Sequence, residues 1–507
     1  MLSCHDRKAN TNANLSLADY ETLSTSAYKL NSHRIREEID SLCRSDNDSA
    51  FADIHTRKLY YAKVPFVWIG RKGIDHRADS LLNCLRHIEQ MGFSDKKFRL
   101  ARIAQDMERL RTLHFDADDN RINKVAARLE YNLTKAYLRY AVGQGFGFMN
   151  PKRVFNRLDV YDSNTAVKSY RTLFDLKIPQ PDKHFVDRAL RQVQVDSISH
   201  FLHEMSPKST LYHRLLKALN SPEAATLGRT RILVNMERCR WRLPDYPRYH
   251  EKYVLVNIPS FHLRAVDHDR TLSMRIAFGA YDTKTPLMIS QVKRMDLNPQ
   301  WIMPMSIVKK SILPRLGNEH YFTRHQYFIR DRQTGQIVSP RHMTRDMLLS
   351  GKYMVVQRGG EGNALGRIIF RFDNNLSIYL HDTSSRGVFT QLNRDVSHGC
   401  VRVEHPFDLA MFMLDKKDDR LISRIRYSMN ADVSPVGIPE EKMTGQMQAV
   451  SDTLDRKRLI GHVEVKPRIP IFIVYYTLYP DDNGAIEAFS DVYGYDAVMY
   501  RELRQFI

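Results

Sequence analysis

The chain has 507 residues, 43% apolar and 27% charged, with a formal net charge of +19. That length exceeds what one hydrophobic core usually serves, so two or three domains are expected, and the composition excludes a disordered or fibrous chain. No run of about 18 apolar residues occurs, which excludes a spanning helix. The Lys and Arg are spread along the chain with no nucleic-acid module, so no nucleic-acid partner is expected.

The chain opens Met1-Leu2-Ser3-Cys4. This looks like the end of a bacterial lipoprotein signal, in which case Cys4 is lipidated and tethers the protein to a membrane; the alternative is an incidental thiol. Residues 1–48 are rich in Asn, Ser, Thr and Asp and suit a tether. Residues 49–250 read as an all-α scaffold. Leu100, Ile103, Met107 and Leu110 mark one helix face, with Ser94 as its cap. Ile122, Val125, Leu129, Leu133, Ala136, Tyr137 and Tyr140 mark another, ending at Gly143. Further helices are expected over 185–202 and 211–219, and Ser221-Pro222-Glu223 opens one toward Trp241. Gly143-Gln144-Gly145-Phe146-Gly147 follows a helix, not a strand, and so is not read as a nucleotide loop.

From residue 251 the texture changes to strand. Tyr253–Ile258, Phe261–Val266 and Met274–Gly279 are apolar strand runs. Residues 291–353 are mixed, and Asn363–Phe370 leads another strand. Pro406–Leu414 reads as a helix packed on the sheet, and 415–464 as a polar helical excursion. Pro470–Thr477 and Ala485–Phe489 form an expected hairpin around Asp482-Asn483-Gly484. The fold class is α+β, with the all-α part first. The cysteines are Cys4, Cys43, Cys84, Cys239 and Cys400, without a C-x-x-C or H-E-x-x-H, so a zinc site is not expected. Cys84 and Cys239 are expected in the core.

The chemistry is concentrated between Ile378 and Val403. Leu376, Ile378 and Leu380 alternate with Ser377, Tyr379 and His381, which reads as a strand with Tyr379 and His381 on one face. Ser397-His398-Gly399-Cys400-Val401-Arg402-Val403 follows. A thiol needs a deprotonator to become a nucleophile, and two strands joined by a loop can set His381 against Cys400.

This pair of elements resembles the signature of the YkuD-type L,D-transpeptidases: a histidine, a spacer, then Ser/Thr-His-Gly-Cys, an apolar residue and Asn or Arg. Asn235-Met236-Glu237-Arg238, Asn298–Pro304 and Asp491–Asp496 also resemble segments of the large multidomain periplasmic branch. The resemblance implies a mainly β catalytic domain with helical insertions over 251–507, in which 291–353 caps the substrate groove. It implies Cys400 as nucleophile and His381 as base, oriented by the carbonyl or side chain of Asp382, with His398 the rival base. Ser397, His398 and Gly399 would shape an oxyanion or substrate pocket, with the N–H groups of Gly399 and Cys400 as oxyanion donors. Arg402 would lower the thiol pKa, hold a substrate carboxylate or make a structural ion pair. Tyr379 would donate a hydrogen bond, line the groove or pack in the core. The implied reaction needs no metal or organic cofactor; the implied partners are peptidoglycan stem tetrapeptides, with carbapenem β-lactams as inhibitors, and the implied place is the periplasm or cell envelope. The same residues would serve an L,D-carboxypeptidase, and a non-catalytic wall-binding scaffold is the other alternative.

Overall fold

The computed structural model describes residues 29–70, 73–116, 118–162, 169–416, 418–481 and 483–507. Cys4 and Asp482 therefore lie outside the described residues. The chain divides into two compact units, each assembled from separated segments. One comprises residues up to Val154, Lys177–Pro244 and Thr477–Ile507; the other comprises Phe155–Leu176 and Asp245–Tyr476.

The first unit is built around the helix Ile122–Phe146, which is buried along almost its whole length. A helix buried on every side must be surrounded by others, and Ser32–Ser45, Phe51–Tyr61, Leu100–Thr112 and Ile198–Met205 all pack on it. Its polar side chains are matched inside: Arg139 bonds Asp53 at 2.6 Å, Lys135 bonds Asp48 at 2.7 Å, and Glu130 accepts the Trp68 and Ile69 N–H groups at 2.9 and 3.0 Å. Buried charge is tolerable only with such partners. Part of the stretch expected as a tether belongs to this core. Asn31 caps the helix Ser32–Ser45, whose Ile35, Ile39 and Cys43 are buried, so its apolar stripe outweighs the polar composition around it.

Two helices expected as continuous are broken. Asp196 adopts φ 54° between Lys183–Gln194 and Ile198–Met205, and Gly228 adopts φ 83° between Glu223–Leu227 and Arg229–Arg240. The chain end returns to this unit. The Thr477 and Leu478 N–H groups donate to Asn235 Oδ1 at 3.1 and 3.3 Å, and Arg238 pairs with Asp496 at 2.6 Å. The late hairpin pairs Leu478–Pro480 with Ile486–Ala488; residues 470–474, expected as its first arm, belong to a strand of the other unit.

The second unit contains a ten-stranded sheet. Its strands are β1 (Phe174–Asp175), β2 (Lys252–Asn257), β3 (His262–Asp267), β4 (Arg270–Gly279), β5 (Leu287–Leu297), β6 (Ile368–Phe372), β7 (Leu380–His381), β8 (Asp395–Ser397), β9 (Val401–Val403) and β10 (His462–Val474). The spatial order is β6-β7-β9-β4-β3-β2-β10-β5-β1, and β6 also pairs with β5, closing eight of the strands into a ring. Ile469–Val474 of β10 is buried without alternation, as expected of a strand covered on both faces.

The segment expected as a cap begins later than the sequence suggested, because residues 291–297 belong to β5. A second, four-stranded antiparallel sheet follows, in the order Ile337–Val338, Tyr327–Asp331, Tyr353–Gln357, Trp301–Ile302. It has its own apolar core, including Ile312, Phe322, Ile329, Leu348 and Val355.

Candidate active site

The floor of the site is a parallel strand pair. β7 and β9 pair with Leu380 beside Val401 and His381 beside Arg402, and the Val401 N–H donates to the Tyr379 carbonyl at 3.1 Å. Parallel neighbours cannot be joined by a tight turn; residues 382–400 make the crossover, through the 3₁₀ turn Arg386–Thr390 and β8. Extending the register sets Tyr379 beside Cys400. Tyr379, His381, Cys400 and Arg402 all line one cleft of about 1170 Å³. The expected strand from Leu376 to His381 is mostly absent. Its first half wraps around Asn374, whose Oδ1 accepts the Leu376 and Ile378 N–H groups at 3.0 Å, and Ser377 adopts φ 56°.

Cys400 is half-buried, with Sγ 3.5 Å from the Ser377 carbonyl. Burial pushes its thiol up to about 11, against the opposing pull of its contacts with Tyr379 and of the Arg402 charge. His381 is 4% exposed. Its Nδ1–H donates to the Asp382 carbonyl, which can only accept, so Nε2 is the nitrogen able to take a proton. Burial and then the Arg402 charge bring its pKa down to about 4, while the Asp382 and Leu365 carbonyls pull the other way. Thiol and imidazole are therefore both neutral near pH 7.

Of the two ways Asp382 was expected to orient His381, the structure uses the carbonyl. The carboxylate is committed elsewhere, accepting the Arg367 N–H at 2.9 Å and Arg386 Nη1 at 3.1 Å. The Tyr379 and His381 rings meet edge-on, centroids 5.9 Å apart, and burial raises the Tyr379 phenol. Arg402 makes no ion pair among the described residues, and its Nε is buried without a partner. His398 lies exposed along the cleft; partial desolvation, then the charges of Lys310, Arg402 and Arg171, lower its pKa.

The loop carrying the thiol is tied down by hydroxyls. Ser397 Oγ donates to the Cys400 carbonyl at 2.6 Å and accepts the Gly399 N–H at 3.1 Å. Of the two expected oxyanion donors, Gly399 is thus occupied and the Cys400 N–H remains. Gly399 holds φ 115°, a conformation that disfavours a side chain. Thr283 Oγ1 donates to the Ser397 carbonyl at 2.7 Å, and Thr285 Oγ1 donates to the Gly399 carbonyl while accepting the Gly279 N–H, both at 2.9 Å. Sequence reasoning missed both threonines. They lie more than a hundred positions upstream, and the only local signal is the polar run that follows β4.

Residues 251–425 match the family described as the L,D-transpeptidase catalytic domain, YkuD, and residues 55–219 match a family described as a scaffold domain. The chain carries a YkuD L,D-transpeptidase catalytic domain. A Haemophilus influenzae protein named "Putative L,D-transpeptidase" is 28% identical over 323 residues, 62% of this chain and 59% of its own length. The chain thus spans under two thirds of that relative.

Within the YkuD domain, the cleft is walled by both sheets. Trp301, Ile302, Met303 and Arg332 come from the four-stranded sheet and its flanks, and Arg371 and Ile369 from β6 of the ring. This places the segment expected as a cap against the groove that holds Cys400.

Proposed function

We propose that this protein is a peptidoglycan L,D-transpeptidase that works through a Cys400 acyl-enzyme. The observation that carries this reading is the strand register that gathers Tyr379, His381, Cys400 and Arg402 on one face of a cleft. Cys400 Sγ attacks the carbonyl joining the third residue of a stem tetrapeptide to its terminal D-Ala. With both partners neutral at rest, the thiol proton passes to His381 Nε2 as the C–S bond forms. The oxyanion is met by the Cys400 N–H, the donor its loop leaves unoccupied. His381 then returns the proton to the departing amine, and D-Ala leaves. A side-chain amine of a neighbouring stem attacks the thioester, loses a proton to His381, and releases the Cys400 thiol. The product is a link between two third residues. Attack by water at the same thioester would give L,D-carboxypeptidation. The walls over the cleft favour the amine by limiting water.

Such a substrate places the protein in the periplasm or cell envelope, where a lipidated Cys4 would hold it to a membrane. A carbapenem offers an equivalent acyl donor, so Cys400 is its expected site of attachment. The test is incubation of the full chain with isolated wall material, followed by muropeptide profiling. New dimers linked through third residues support transpeptidation. Shortened monomers alone support carboxypeptidation, and no change supports the non-catalytic scaffold.

A further inference from the structure

Charge along the cleft is one-sided. Among the described residues Arg171, Lys284, Lys293, Arg332, Arg371 and Arg402 line it, against the single carboxylate of Asp373. Several of these cations are already matched: Lys284 bonds Asp159 at 2.7 Å, Lys293 pairs with Asp373, and Arg371 pairs with Asp296. Three cations around the site pair with nothing among the described residues. Arg402 stands on the floor with its Nε buried and unpartnered. Arg332 lines the wall from the four-stranded sheet, and Lys310 lies close enough for its charge to act on His398.

A buried guanidinium nitrogen without a partner is costly, and the cost is removed when an anion fills the place. Arg402 is two residues past Cys400, so along a strand it lies about 7 Å from the thiol position. An anion held there is within one residue of the carbonyl under attack. Arg332 offers a further anion contact along the same groove, and Lys310 adds positive charge near His398.

We infer that the cleft selects donor stems whose internal carboxylates are free, and discriminates against the same stems with those carboxylates amidated. The inference rests on the transpeptidase reading for the identity of the ligand as a stem peptide, and the selectivity itself comes from the unmatched cations. An amide in place of a carboxylate leaves Arg402 without its charge-assisted partner and removes the attraction of Arg332 and Lys310. Screening should weaken the selectivity as salt rises, most at the exposed Lys310 and Arg332.

The test uses the full chain as Cys400→Ala, which cannot turn substrate over. Two synthetic tetrapeptide stems are titrated by calorimetry, one with free internal carboxylates and one with them converted to amides. The free stem is expected to bind at least about ten-fold more tightly, a typical loss for a charged hydrogen bond. The difference should shrink in the Lys310→Gln/Arg332→Gln double variant, both of whose sites are exposed, and at high salt. Equal affinities, binding of neither stem, or a preference untouched by both the double variant and salt would overturn the inference. Mass spectrometry of the unsubstituted chain with the free stem reports separately on function. A binding preference without a thioester at Cys400 would leave the charge selectivity standing and remove the transpeptidase reading.

Discussion

His381 stands in register with Arg402, while the register sets Cys400 beside Tyr379. His381 and Cys400, the proposed base and nucleophile, therefore stand diagonally across the strand pair, and the imidazole's direct neighbour is a guanidinium. Burial keeps the imidazole unprotonated, the charge of that neighbour adds to the effect, and, two positions from the thiol, the same charge favours the thiolate. One cation thus biases both partners toward the forms that react.

The two histidines should separate in acylation kinetics. His381→Ala is expected to slow carbapenem acylation by about 10²–10⁴-fold, the usual contribution of a general base. His398→Ala, at an exposed position, is expected to slow it only a few-fold. Stopped-flow acylation of the two variants decides this, and the reverse order would exchange their roles. Cys400→Ala should form no adduct, and peptide mapping of the native chain should place the carbapenem on Cys400.

Thiol reactivity should follow pH without a plateau near neutrality. With the Cys400 thiol pushed up to about 11, its thiolate fraction rises about ten-fold per pH unit from pH 7 to 10. Alkylation of Cys400 by neutral iodoacetamide, followed by mass spectrometry, should rise in step. His381, brought down to about 4, should add no inflection between pH 5 and 7. In Arg402→Gln the loss of positive charge should raise the thiol pKa further and lower the alkylation rate at pH 8. A rate that levels off below pH 8 would mean that a thiolate is already formed at rest.

Gly366→Ala should damage the site out of proportion to its size. Gly366 holds φ 63°, and a Cβ there would stand 2.4 Å from the Asp382 carboxylate. Moving Asp382 shifts the carbonyl that fixes the tautomer of His381. We expect a modest stability loss, on the order of 1–2 kcal/mol, with acylation reduced at least ten-fold. Thermal unfolding and acylation measured on one preparation separate the two effects. Normal acylation would show that Asp382 does not control the imidazole.

Thr285→Val keeps the shape and removes the hydroxyl that joins Gly279 to Gly399. Two buried backbone groups then lose this hydrogen bond, at a cost of about 0.5–1.5 kcal/mol each. Loosening of the loop that carries Cys400 should appear as faster amide hydrogen exchange at 397–400 and slower acylation. Unchanged exchange there would assign Thr285 to packing alone.

Much of the site could be read in the chain. The spacing from His381 to Ser397-His398-Gly399-Cys400 named the residues that the cleft gathers, because a short motif carries its own geometry. The long helix through Leu129, Leu133 and Tyr140 was equally plain, since burial on many turns leaves a long periodic trace. The strand before His381 was misjudged because alternation from Leu376 to Leu380 imitates a strand, while Asn374 instead captures the two N–H groups that a strand partner would have used. The parallel register was hidden, since a two-residue strand has too little pattern to declare its direction. Thr283 and Thr285 look like ordinary turn residues until the fold brings them beneath the thiol loop.

Arg238 and Asn235 meet partners that are synthesised some 240–260 positions later, at Thr477, Leu478 and Asp496. The helical unit, encoded first, is therefore finished last. While the chain is still on the ribosome, an arginine and an asparagine destined for burial wait for these later partners, and a chaperone would find them exposed. A truncation at Tyr476 should leave the ring of strands intact and strand the helical unit in that unfinished state. Severing the far end of the sequence would thus harm the part of the molecule that was made at the beginning.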